Sequence, residues 1–376
     1  MMEMVLVIGG AGFIGSHTVD ALLRKGYAVR ILDSLCPPTH RGARPGYLPD
    51  AAEFRRGDVQ NREDVESALA GVSIVFNFAA YQDYLTDFSR FFRVNAAGTA
   101  LVYEVIVEKR LPIRKMIVAS SQAVYGEGTY RCPTDGIVVV PRRPLERLRL
   151  RRWEVTCPAC DGPLTLVPST ETRAQPHNPY GISKYTQDLI ALSLGERYGI
   201  PTVTLRYSIV QGPRQSHHNA YSGALRIFAL SLHHGKPLTI YEDGRQLRDY
   251  VNIEDVVRAN LLVLEDPRAE GQTYNVGGGR AYMVLDLARV VAGALGKEPA
   301  IAPTGAFRFG DSRHMISDIT KIAGLGWRPQ RTLDESVRDY VAWMLEETTS
   351  AEVLDRAQVT MGRAGVVLGP AESMRA

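Results

Sequence analysis

Tyr180 and Lys184 stand four residues apart in Asn178-Pro179-Tyr180-Gly181-Ile182-Ser183-Lys184. On a helix that spacing puts both side chains on one face. A phenol titrates near 10, so using one as a base at neutral pH requires a shift of about three units, roughly 4 kcal/mol. A lysine ammonium one turn away pulls in that direction. Ser121, at the end of an apolar run 115–120, adds a neutral hydroxyl able to hold the reacting oxygen. By itself Tyr-x-x-x-Lys is a common surface pair. The glycine-rich turn Gly9-Gly10-Ala11-Gly12-Phe13-Ile14-Gly15 makes it specific.

Gly9, Gly12 and Gly15 follow a short apolar strand, 5–8, and open a helix, 16–25. A dinucleotide needs that context: backbone must approach the pyrophosphate closely, and a helix N-terminus favours its charge. The bland alternative is a tight strand–helix turn. Asp33 ends the second strand, where a carboxylate bonds ribose hydroxyls and repels a 2′-phosphate, so NAD is expected over NADP. Bound there, a cationic nicotinamide would add to the pull on Tyr180, and Lys184 could bond its ribose. Asp58, in Gly57-Asp58-Val59, is placed to reach the adenine edge; the alternative is a turn carboxylate.

The elements that must position these groups are legible in outline. Runs 5–8, 28–32, 74–78 and 115–120 read as buried strands, and 16–25, 62–70 and 88–109 between them as helices. Another helix, 178–198, precedes a strand, 202–207. The pattern predicts an α/β fold, a Rossmann-type doubly wound parallel sheet. A smaller mixed lobe, with helices expected at 221–234, 252–265, 285–295 and 333–347, should bind substrate. The expected division is 1–129 and 174–212 for the dinucleotide domain, 130–173 for a cysteine-bearing insertion, 213–347 for the lobe and 348–376 for a tail. That tail reads as mobile, with a short extra helix as the alternative.

Composition excludes several functions. The 376 residues carry a formal charge of only +3, with 45% hydrophobic and 23% charged residues, so neither nucleic acid nor a membrane surface is an expected partner. There is no apolar run of about 18 residues to span a bilayer, and the first strand runs straight into the glycine turn without a signal-peptide pattern. A cytoplasmic protein is expected.

Taken together, Gly9-x-x-Gly12-x-x-Gly15, Asp33, Ser120-Ser121-Gln122-Ala123-Val124-Tyr125-Gly126 and Tyr180-x-x-x-Lys184 resemble the extended short-chain dehydrogenase/reductase family, nearest its nucleotide-sugar epimerase and dehydratase branch. The stretches 94–99, 206–214 and 244–251 extend the likeness to roughly 4–346, apart from the insertion. The resemblance implies Ser121, Tyr180 and Lys184 as catalytic residues. It implies contacts to NAD from Gly9, Gly12, Phe13, Ile14, Gly15, Asp33, Asp58, Val59, Ala79, Asn95, Tyr180 and Lys184. For a nucleotide diphosphate sugar it implies Tyr81, Ser121, Gln122, Ser208, Asn219, Arg248, Arg308 and Asp311, with the two arginines gripping the diphosphate. Family members usually carry Asn where Ser208 stands.

Family dehydratases resemble one another in an Asp-Glu pair after the serine, where this chain has Gln122 and Ala123. Neither is a general acid, so dehydration is not expected. The reaction implied is epimerisation, most simply at carbon 4, by oxidation to a keto-sugar and reduction from the other face. The alternatives are a 4-ketoreductase with the same residues and a cofactor-sensing binding protein without catalysis. Segment 212–223 and the cysteine-bearing insertion resemble the deoxythymidine-diphosphate-rhamnose 4-epimerase subgroup, which implies a deoxyhexose. Family members that dimerise do so through helices matching 88–109 and 178–198, so a homodimer is expected.

The insertion contains three of the four cysteines. Cys157-Pro158-Ala159-Cys160 has the spacing of a zinc knuckle. Cys132-Pro133-Thr134-Asp135 is a candidate facing knuckle, with Asp135 or His177 as the fourth ligand. A ribbon without metal is the alternative. The basic run 142–152 reads as a solvated or dimer-facing edge. The pairs His217-His218 and His233-His234 read as surface or substrate-lobe residues, not ligands, and the lone Cys36 as a loop cysteine.

Overall fold

The computed structural model describes residues 3–37, 39–40, 42–83, 85–216, 223–299, 301–347, 349–363 and 365–369. Its centre is a seven-stranded sheet, all strands parallel, in the order Gln272–Val276, Thr202–Tyr207, Lys115–Ser121, Ile74–Asn77, Met4–Ile8, Ala28–Asp33, Glu53–Arg56. The interior strands are apolar on both faces because helices cover both. On one face Val5, Val7, Ile31, Phe76 and Ile117 pack beneath the helices Phe13–Arg24 and Ile253–Glu265. On the other Leu6, Ile8, Val75, Met116 and Val118 meet Gly98–Glu108 and Pro179–Tyr198. The chain turns to the other side of Met4–Ile8 when it reaches Ile74–Asn77. Such a switch point opens a crevice at the carboxyl ends of the strands. Gly9, Asp33 and Ser121 all lie at that edge.

Three expectations are corrected. The division at residue 212 is crossed twice, because Ile253–Glu265 packs on the first helix and Gln272–Val276 is an edge strand of the central sheet. The lobe proper is a separate cluster built from the helices Ala224–His233, Val284–Ala294 and Leu333–Glu346. The helix expected over 88–109 is interrupted by a π-helical turn, Phe92–Ala97, between Phe88–Phe91 and Gly98–Glu108. Such a turn has no local sequence signal, and it places Asn95 inside. The tail is ordered where described: Glu352–Arg363 is helical, and Val367–Leu368 pairs antiparallel with Phe307–Arg308. Leu354 joins the lobe core and Leu368 packs on the Trp153 and Phe307 cluster, so apolar burial holds the tail down.

The insertion forms a three-stranded antiparallel sheet, Gly136–Val139, Thr129–Cys132 and Thr165–Val167. Its own core is small: Tyr130, Val140 and Val155 are buried, flanked by Val138, Leu164 and Leu166. No helix among the described residues is long and apolar enough to cross a membrane.

Candidate active site

The helix Pro179–Tyr198 starts with Pro179 where a missing N–H is tolerated, and Asn178 caps it by accepting from Gly181 N at 2.8 Å. Gly181 is required for space: a Cβ there would lie 2.5 Å from the Ala123 carbonyl oxygen. That close approach lays the first helical turn on the 3₁₀ turn Gln122–Tyr125, directly after Ser121. The Ser121 hydroxyl thereby reaches the Tyr180 phenol. Ser121 Oγ also accepts from Ala123 N at 3.1 Å, which fixes its rotamer.

Burial pushes the Tyr180 phenol up to about 12, against a downward pull from Ser121. Lys184, only 1% exposed, is brought down to about 8 by burial, with Asp188 opposing. Its ammonium donates to Ala119 O and Gln187 Oε1. The sequence pointed to Lys184 as the group that lowers Tyr180. In the structure Ser121 does so, while Lys184 is held by the sheet edge and its own helix.

Gln187 was missed, because a buried glutamine one turn from a lysine carries no motif. Its amide donates to Thr99 Oγ1 at 2.8 Å, which also receives Asn77 Nδ2 at 3.0 Å. Asn95 ties this network to the catalytic helix: Oδ1 accepts from Tyr81 N at 2.8 Å, and Nδ2 donates to Tyr81 O at 3.0 Å and Ser183 Oγ at 2.9 Å. Its amide acts on protein partners, positioning the helix and the 81-loop. Asp188 is also buried and receives Arg206 Nε at 2.8 Å.

The glycine turn fits a dinucleotide on stereochemical grounds. Gly9 has φ +76°, and a Cβ there would lie 2.7 Å from Ala79 N, while one at Gly15 would lie 2.2 Å from Gly9 O. Only glycine permits this packing. Gly12 is the helix N-cap and provides no side-chain cap, so the first-turn amides at Phe13 and Ile14 face a ready anion site. Asp33 Oδ2 accepts from Ala11 N at 3.0 Å and Oδ1 from Leu35 N at 2.9 Å, fastening the turn to the second strand. His40, also missed, stands 4.0 Å from the same carboxylate.

Asp58 accepts from Gln60 N at 2.9 Å and spans Gln60 Nε2 at 3.1 Å, a turn carboxylate in this geometry. Val59 is buried under Gly98, where a Cβ would lie 2.9 Å from it.

Of the residues expected to contact substrate, Gln122 is buried with an Oε1 that has no protein partner, as expected of an atom that meets a ligand. Tyr81 is buried and its phenol donates to Asp87 at 2.7 Å. Arg248 donates to the carbonyls of Leu247 at 2.9 Å, Ser312 at 2.9 Å and Arg313 at 3.0 Å. Arg308 pairs with Asp311 at 2.7 Å. These three residues therefore converge on one loop, 308–313.

Ser208 departs from the expected donor role. Its hydroxyl donates to Asp249 Oδ2 at 2.7 Å and lies 2.9 Å from Ser317 Oγ, so its single proton is spent within the protein. Asp249, missed by the sequence reading, is fully buried and raised to about 6 by that burial, against hydrogen bonds from Ser208, Ser317 N and Gly278 N. Asn219, like the 217–218 histidine pair, lies outside the described residues.

Cys132, Asp135, Cys157 and Cys160 come together with all ligand atoms within 4.8 Å of one another. His177 does not join them, since its Nε2 faces Gly310 O at 2.9 Å. In the basic run 142–152, Arg142, Arg149, Arg151 and Arg152 are exposed, in keeping with a solvated edge, and Arg143 is the exception: it is buried, held by Glu127 at 3.0 Å and by both oxygens of Glu242 at 2.8 and 3.1 Å. It also donates to Asp311 O at 2.8 Å, so the insertion touches the loop bearing Arg308.

A doubly wound sheet with a glycine cradle at its switch point and Ser121, Tyr180 and Lys184 at the same edge is the arrangement of a dinucleotide-dependent oxidoreductase-type enzyme. The chain belongs to the NAD-dependent epimerase/dehydratase family, whose pattern matches residues 5–145 and 159–277. It is 32% identical over 356 residues to the dTDP-L-rhamnose 4-epimerase of Burkholderia thailandensis, covering 92% of this chain and 96% of that protein. The UDP-glucose 4-epimerase of Thermotoga maritima with UDP-glucose superposes with TM-score 0.75 at 30% identity, covering 91% of this chain and 99% of the other. That of Thermus thermophilus in complex with NAD gives 0.73 at 31%, covering 92% and 100%.

Proposed function

We propose that the protein is an NAD-dependent epimerase that inverts carbon 4 of a nucleoside-diphosphate sugar. The observation that carries this reading is that the helix bearing Tyr180 and Lys184 lays its first turn on the 3₁₀ turn after Ser121, at the sheet edge that also holds the glycine turn, with Gln122 and Ala123 next to Ser121. The Thermus relative in complex with NAD supports the cofactor, and Asp33 supports NAD over a 2′-phosphorylated form. Bound NAD would accept a hydride from the sugar carbon and return it, while its positive charge offsets the burial that raises Tyr180. Tyr180 takes and gives back the hydroxyl proton at its phenol oxygen. Ser121 bonds the reacting oxygen, and Lys184 holds the ribose with the ammonium proton that Ala119 and Gln187 leave over. Dehydration requires an acid and a base at carbons 5 and 6, and Gln122 and Ala123 are neither.

Arg248 and Arg308 suit the diphosphate, with Arg308 leaving Asp311 for it. Similarity to the Burkholderia epimerase supports a dTDP-linked deoxyhexose. Exposed Phe88, Phe92, Ile182 and Leu189 on the catalytic helix and its neighbour support a homodimer through that face. Four unpaired thiols fit a reducing cytoplasm. The proposed chemistry runs between Tyr180 and NAD and asks nothing of a metal, so zinc in the insertion is proposed only as a structural ion.

The test is to incubate purified protein with UDP-, dTDP- and GDP-sugars and follow each by NMR with no added cofactor. Inversion at carbon 4 in at least one is expected. A reaction that consumes one reduced cofactor per product would instead make it a 4-ketoreductase.

A further inference from the structure

We propose that Cys132, Asp135, Cys157 and Cys160 form a structural zinc site that staples the insertion and so holds the loop carrying Arg308. The four donors come from two facing turns. Cys132 ends the strand Thr129–Cys132, and Asp135 lies in the hairpin before Gly136–Val139. Across from it the turn Cys157–Cys160 is closed by backbone bonds, Asp161 N to Cys157 O at 2.8 Å and Cys157 N to Gly162 O at 2.9 Å. Cys132 Sγ lies 3.5 Å from Cys160 Sγ, and Asp135 Oδ2 lies 3.1 Å from both Cys132 Sγ and Cys157 Sγ. Zinc–sulfur bonds of about 2.3 Å in a tetrahedron put ligand atoms roughly 3.5–3.8 Å apart. Separations of 3.1–3.5 Å for three of the pairs, with all four atoms within 4.8 Å of one another, put them close enough for one ion to draw them into that geometry. Three thiols and a carboxylate form a soft, anionic set suited to zinc, with Asp135 as its hard, exposed member.

The insertion has a reason to need a staple. Its own core buries only three apolar side chains, and Leu148 and Trp153 pack away from it on Phe307, so little apolar burial orders the cysteine-bearing turns themselves. Yet it delivers Arg143, which binds Glu127, Glu242 and the Asp311 carbonyl. A metal ordering the ribbon therefore supports the Arg308 loop from behind. This last link rests on the proposed substrate reading, whereas the metal itself does not.

The test uses full-length protein purified without a metal-binding tag from zinc-supplemented cells. Elemental analysis is expected to give about one zinc per chain, and cobalt exchange a thiolate-to-cobalt absorption band. Cys157→Ser and the exposed Asp135→Ala should lose metal, while Asp135→Cys should keep it. Stripping zinc with a thiol-reactive mercurial should make the insertion protease-sensitive and raise KM for the nucleotide sugar more than it lowers kcat. A wild-type chain that carries no metal and takes up neither zinc nor cobalt would overturn the proposal, as would full zinc content in both Cys157→Ser and Asp135→Ala. Because metal content is read directly, it fails or stands separately from the epimerase reading.

Discussion

The two halves of the site are built by opposite means. At the sheet edge, Tyr180, Lys184 and Ser121 are placed by short-range constraints: Asn178 caps the helix, Gly181 lets it sit on the 122–125 turn, and Gly9 and Gly15 let backbone meet backbone. In the half proposed to bind substrate, Arg308 and Arg248 are placed by a relay of buried charges. Glu127, Arg143, Glu242 and Arg313 come from distant parts of the chain, each under 5% exposed, and share bonds of 2.6–3.1 Å. One half is fixed by backbone geometry and tolerates only glycine at its contacts. The other is fixed by charge, and fails when any partner leaves a charge buried alone.

The two halves should break differently. Tyr180→Phe removes the proton carrier at a half-buried position without leaving a charge behind. It should lower kcat by about 10²–10⁴-fold with little change in thermal midpoint. Arg143→Ala should do the reverse, costing about 3 kcal/mol of stability in urea titration, because Glu127 and Glu242 lose the guanidinium they share and, among the described residues, keep only Arg313 as partner. Arg308→Ala should raise KM by roughly 10–100-fold while kcat changes far less, since a charge-assisted bond contributes about 1.5–3 kcal/mol.

Two smaller effects concern pH. Ser121 pulls the Tyr180 phenol down, so Ser121→Ala should raise it further. A base must be deprotonated to act, and the rising limb of the kcat/KM profile should therefore move to higher pH. Asp249 is raised to about 6 by burial. Folding then favours its protonated form, so its contribution is complete below about 4, the ordinary carboxylate range, and is lost as pH rises through 6. Asp249→Asn should flatten the fall in stability across that window.

The sheet edge was largely legible in the sequence because its constraints are local. The glycine spacing, Asn178 as cap, Tyr180 with Lys184, and the apolar strand before Ser121 each lie within a few residues. The substrate lobe was not. Ser208 pairs with Asp249, Arg143 with Glu242, and Gln187 with Thr99, across separations that no window reads. The edge strand Gln272–Val276 was assigned to the lobe for the same reason, since sheet membership is decided by a partner 69 residues away at Thr204 and Thr273. Zinc-type spacing in the insertion was visible, but the choice of Asp135 over His177 needed coordinates.

The central claim is that the site, with NAD bound, would let a hydride leave carbon 4 of the sugar and return to that carbon's other face within one turnover. The most direct measurement is to supply a nucleotide sugar deuterated at carbon 4, without added cofactor, and locate the label by NMR. The account predicts deuterium retained at carbon 4 of an inverted product. Loss of the label to solvent or to free reduced cofactor would contradict it.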